Sequence, residues 1–160
     1  MITRTELLMA LGCGIILALP ACKKEKPPPW TATPRTFSGS TYKLTLATVE
    51  RCDVKTQDVM RKGTVGYVNV GFDAIIENTG GEPMQIDPTL FEVRDPQGNS
   101  YEVFVSEGCQ PELDPSQTIG KNEKHRGFVT IKLPEEVREL RVVFRPRVPA
   151  GDEATFQVKR

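Results

Sequence analysis

The chain of 160 residues carries almost no net charge, since 21 Lys and Arg balance 21 Asp and Glu. No field of one sign therefore draws it to nucleic acid or to an acidic partner, which argues against a nucleic-acid-binding role. There is a single histidine, His125. A Ser-His-Asp triad would have to recruit that one residue, and no G-x-S-x-G accompanies it. A blue-copper centre needs two His with one Cys, so the same scarcity counts against it. No G-x-G-x-x-G, P-loop or alternation of strands with helical patterns is present, which removes the common nucleotide-binding architectures. Long apolar repeats of helical period are few, while Gly and Pro each number 13. That combination suits a β domain rich in turns.

The central stretch runs from Gly66 to Pro88. Val68, Val70, Phe72, Ala74 and Ile76 alternate with Tyr67, Asn69, Gly71 and Asp73, the pattern of a strand with one face on a core. Asn78-Thr79-Gly80-Gly81-Glu82-Pro83 ends it. Shorter strands are expected from Tyr42 to Val49, at Met84–Ile86, and around Phe91 and Val93. Others are expected over Tyr101–Val105, Val129–Leu133 and Leu140–Phe144, with an edge strand at Phe156 and Val158. Asp95-Pro96-Gln97-Gly98-Asn99 turns the chain between two of them as a hairpin. About seven short strands with regular turn signals predict an all-β antiparallel sandwich over residues 41–160, enough chain for a real core.

Ahead of this domain, Arg4 is followed by an apolar run from Leu7 to Leu19, short for a membrane-spanning helix of about 20 residues. The run ends in Leu19-Pro20-Ala21-Cys22, and Lys23-Lys24-Glu25-Lys26 follows at once. This resembles the bacterial lipoprotein signal. The resemblance implies that residues 1–21 are a cleaved signal peptide, that Cys22 is lipidated, and that the protein stands at the cell envelope outside the cytoplasm. Lys23 after the Cys resembles the pattern that directs Gram-negative lipoproteins to the outer membrane. Residues 22–40 read as a flexible tether with a stiff polyproline stretch at Pro27-Pro28-Pro29, in which Trp30 is an incidental exposed aromatic. The membrane, held through the lipid at Cys22, is the first expected partner.

With Cys13 in the leader and Cys22 given to the lipid, Cys52 and Cys109 remain, both between strands. In an oxidising compartment they form a disulfide, with two free thiols as the alternative. Asp87 and Asp95 are expected to cap turns. Asp73 and Glu77 are expected on the solvent face of the long strand, and His125 in a solvated hairpin among Lys121, Lys124 and Arg126. No metal and no cofactor is expected.

From about Tyr42 to the C-terminus the chain also resembles a family of bacterial secreted or lipid-anchored immunoglobulin-like domains of unknown function, which includes a mycobacterial secreted antigen type. The matching residues are Val68-Asn69-Val70, Ile76-Glu77-Asn78, Gly81-Glu82-Pro83, Phe91-Glu92-Val93-Arg94-Asp95, Gly98 and Tyr101, then Gly127-Phe128-Val129 and Pro134. Leu113-Asp114-Pro115-Ser116 departs from the Pro-Gly that the family tends to carry there. The resemblance implies an immunoglobulin-like fold. The expected function is a non-catalytic envelope module that binds an envelope protein or a cell-wall component. Its contact surface is expected at the cysteine-linked loops, with Lys55, Lys62, Lys121 and His125. A copper carrier using His125 or Met84, and an inhibitor of an exported hydrolase, are the rival readings.

Overall fold

A computed structural model describes residues 28–52, 66–104, 109–147 and 152–160. Twelve strands follow in chain order: β1 (Thr31–Thr33), β2 (Thr36–Ser38), β3 (Tyr42–Arg51), β4 (Tyr67–Asn78), β5 (Met84–Ile86) and β6 (Phe91–Arg94). After them come β7 (Ser100–Tyr101), β8 (Val103–Phe104), β9 (Gln117–Ile119), β10 (Lys124–Pro134), β11 (Glu139–Phe144) and β12 (Ala154–Lys159). One sheet has the order β1-β12-β11-β6-β7 and the other β2-β3-β4-β10-β8, while β5 and β9 form a separate ribbon. All the pairings between these strands are antiparallel. The fold is an all-β antiparallel sandwich. No helix among the described residues is long and apolar enough to cross a membrane.

The alternation in β4 explains its place. Val68, Val70, Phe72, Ala74 and Ile76 all turn inward, and β4 lies between β3 and β10 at the middle of its sheet. They join Val129, Ile131 and Leu133 of β10 and Val142, Phe144, Phe156 and Val158 of the opposite sheet in one core. Each of these side chains is under 5% exposed. Burying a side chain of this size contributes about 1.5–3 kcal/mol, so the facing rows are the main source of stability. Tyr42 joins the core edge-on to Phe144, and its hydroxyl donates to the Asp152 carbonyl. Burial there pushes its phenol well above the ordinary tyrosine range.

Several expectations are corrected. The sandwich begins before residue 41, because Thr31–Thr33 pairs with β12 and Thr36–Ser38 pairs with β3. Consequently β12 is flanked on both sides by β1 and β11 and is not an edge strand. Trp30 is 7% exposed and packs in the core, with the Arg160 guanidinium 5.1 Å from its ring centre. The strand expected over Tyr101–Val105 divides between the sheets: Tyr101 pairs with Val93, and Val103 pairs with Ile131. Val105 lies outside the described residues. Every described edge strand is two or three residues long. Such short edges offer little template for adding a foreign strand.

Candidate functional site

The outer surface of the β3-β4-β10 layer is the most elaborated region of the described chain. On β4 this side carries Tyr67, Asn69, Gly71, Asp73, Ile75 and Glu77, opposite Pro134, Lys132, Thr130, Phe128, Arg126 and Lys124 of β10. Cys52 follows the last residue of β3, and its amide donates to the Asn69 carbonyl. Cys109 donates its amide to the Thr130 hydroxyl at 3.1 Å. The two cysteines are joined in a disulfide with Cα atoms 5.1 Å apart, and the bond rides over the sheet above Gly71. A Cβ at Gly71 would collide with both sulfurs and with the Phe128 ring, so glycine here is a packing requirement.

Beyond Cys109 the chain runs beside β10. Leu113 donates to the Phe128 carbonyl and Phe128 donates to the Pro111 carbonyl, giving a short parallel bridge. A side chain on Gly127 would meet the Leu113 backbone, so this close approach also requires glycine. The disulfide and this bridge fix the surface from two sides.

Asp73 is the most informative residue of the surface. It faces outward by the alternation, yet its side chain is 2% exposed while that of Arg126 is 63% exposed. The Arg126 guanidinium donates Nε to Oδ1 at 2.9 Å and Nη2 to Oδ2 at 2.6 Å. This two-pronged pair holds the guanidinium protonation above its already high ordinary value. The expectation of a solvent-facing Asp73 is thus corrected: arginine covers the carboxylate and presents the exposed part itself. Glu77 is half-buried and pairs with Lys124 at 3.2 Å.

Of the residues expected to form one contact surface, Lys121 and His125 are described, and they stand away from the disulfide. Lys121 is exposed in the turn before β10, and Lys124 pairs with Glu77, six residues along β4 from the Gly71 that underlies the disulfide. At about 3.4 Å per residue that is about 20 Å. His125 stands in β10 opposite Ile76, on the side that carries the core, and not in a solvated hairpin. It is half-buried, and its Nε2 has no hydrogen-bond partner among the described residues. Cys22, Lys55 and Lys62 lie outside the described residues. Among the described residues no group of three or more His, Cys, Asp or Glu is placed to hold a metal ion. The two cysteines are committed to each other, so neither offers a free thiolate.

Elsewhere, Asp87 and Asp95 act as turn caps. Asp87 accepts from the Thr89 amide at 2.8 Å, and hydrogen bonds from Thr89 hold its carboxyl below the ordinary range. Burial pushes the Asp95 carboxyl up, but hydrogen bonds from Asn99 and Tyr101 outweigh it and hold the group low. A recess of about 230 Å³ lies between Trp30, Ala32 and Arg35 on one side and the bulge of β3 at Leu46–Val49 on the other. It is smaller than the pockets that enclose ligands of drug size.

Solved structures of low sequence identity share the fold. A candidate lipoprotein of Bacillus subtilis superposes with a TM-score of 0.61 at 13% identity, covering 76% of this chain and 38% of its own. The chain thus spans well under half the length of that protein. A functionally unknown protein from Listeria monocytogenes gives 0.57 at 9% identity, over 80% of this chain and 86% of its own. A conserved hypothetical protein from Bacillus anthracis gives 0.54 at 14% identity, over 80% and 99%. None of the curated proteins compared with the chain matches it. The family model of a domain of unknown function, DUF4352, matches residues 40–155, and the chain belongs to that family.

Proposed function

We propose that the chain is an exported, lipid-anchored binding module of the cell envelope, without catalytic chemistry of its own, which recognises an envelope protein or cell-wall component. Its leader, ending in Ala21-Cys22, supports the export and the lipid. So does the name of the Bacillus subtilis neighbour, which describes that protein as a lipoprotein candidate. The contact surface is the outer face of β4 and β10 beside the disulfide. The observation that carries this assignment is the Asp73–Arg126 pair, in which a buried carboxylate holds an exposed guanidinium in one fixed pose. Arg is favoured at the energetic centres of interfaces, and a pre-positioned side chain loses little freedom on binding. Phe128, half-buried beside it, supplies adjoining apolar area.

A photo-crosslinking residue placed at Phe128 and, separately, at Gln157 on the opposite sheet tests this in intact cells. The proposal expects a discrete adduct from position 128 that disappears with Arg126→Glu, and none from position 157. Equal labelling from both positions, or an adduct indifferent to Arg126→Glu, would refute it.

A further inference from the structure

We infer that the end of the sandwich bearing Trp30 docks on the phospholipid headgroup layer of the membrane that holds the protein; this rests on the reading that Cys22 is lipidated. Four described elements meet at that end. The Arg160 amide donates to the Arg138 carbonyl at 2.9 Å, and Arg160 Nη2 donates to the Glu135 carbonyl at 2.7 Å. The Glu135 amide in turn donates to the Gly66 carbonyl at 2.8 Å, and Tyr67 lies opposite Pro134. The Arg160 guanidinium covers Trp30, so the entry to the sandwich, the Pro134–Val137 turn, the start of β4 and Arg160 form one surface.

Three observations commit this surface to a bilayer. Only residues 23–29 separate Cys22 from Trp30. At no more than about 3.6 Å per residue, the eight steps from Cys22 to Trp30 reach less than about 30 Å. This end is therefore the one held nearest the lipid. Tyr67, the exposed large hydrophobic among the described residues at 47%, stands on it, with Lys132 Nζ 5.6 Å from its ring centre. An amphipathic ring beside an ammonium is suited to the layer between acyl chains and water. Arg138 Nη1 donates to the Glu135 and Val137 carbonyls, leaving its charge available to a phosphate. Glu135 and Glu136 oppose it, and Glu135 is engaged by Arg51 at 3.4 Å. The far end of the sandwich, at Lys121, is left pointing away from the bilayer.

The test uses the full-length acylated protein in vesicles whose headgroups carry a nitroxide, which quenches a nearby indole. One variant carries Tyr67→Trp and another Lys121→Trp, two positions about 30 Å apart along the strands. The fluorescence added at position 67 should be largely lost, and that added at position 121 should survive. Equal quenching at both positions, quenching at 121 alone, or quenching at neither would overturn the docking. The mass of the same preparation separates the two failures. An acylated chain without quenching at 67 leaves the anchor standing and removes the docking, whereas a chain without acyl mass removes both.

Discussion

Gly71 shows how one residue type conditions the candidate surface. With no Cβ it lets the Cys52–Cys109 bond lie flat on the sheet, and any side chain would push the sulfurs away. Gly71→Ala should therefore destabilise the protein by about 1–3 kcal/mol, the usual cost of overpacking, measured as a drop in the urea midpoint. In a background with both cysteines changed to Ala, the collision with the sulfurs is absent and the penalty should shrink. Titration supplies a second prediction. Hydrogen bonds from Thr89 hold Asp87 below the ordinary carboxylate range, a hydrogen bond from Arg145 does so for Glu92, and those from Asn99 and Tyr101 outweigh burial to do so for Asp95. The stability they add is present above about pH 4 and is lost as pH falls through their lower folded values. At the alkaline end, burial and then Asp95 push the Tyr101 phenol from 10 up to about 12. Its contribution is full below pH 10 and is lost as pH rises through about 12. Tyr101→Phe should cost about 1 kcal/mol at neutral pH and flatten the loss between those values, followed by chemical denaturation across the range. An unchanged alkaline slope would contradict the Asp95–Tyr101 bond.

Among the elements, β4 was the most legible, because an alternation of this length puts its apolar side chains on one face. The turn at Asp95–Asn99 and the inward rows of β10 and β11 were equally readable from their spacing. The strands β1 and β2 were not. Thr31-Ala32-Thr33 and Thr36-Phe37-Ser38 carry little apolar signal, and the prolines before them match a tether as well as a domain edge. Trp30 packs in the core beneath Arg160, which stands at the other end of the described chain, a relation no local pattern reveals. Asp73 misled for a related reason: period two gives a strand's faces, but not which outer residues another side chain will cover. Lys121 and His125 could not be separated from the disulfide until the register of β10 on β4 was known. Trp30→Ala should destabilise the sandwich by about 3 kcal/mol. Trimming the chain to start at residue 41 should destabilise it further, because β1 and β2 go with it. Thermal unfolding of the two variants beside the parent would show whether β1 and β2 belong to the cooperative unit.

For the molecule as a whole, the disulfide closes a separation of 57 residues. The chain-entropy account assigns such a loop about 4 kcal/mol, so changing both cysteines to Ala should lower unfolding free energy by about that amount. The same bond is of the kind found in proteins outside the reducing cytosol and fits the export proposed above. The measurement that bears most directly on the account is the intact mass of the detergent-extracted protein, taken without and then with reductant. A chain that begins at Cys22, carries acyl mass and gains two hydrogens on reduction is the predicted result. A chain without acyl mass would contradict the lipid anchor, and a mass unchanged by reductant would contradict the disulfide.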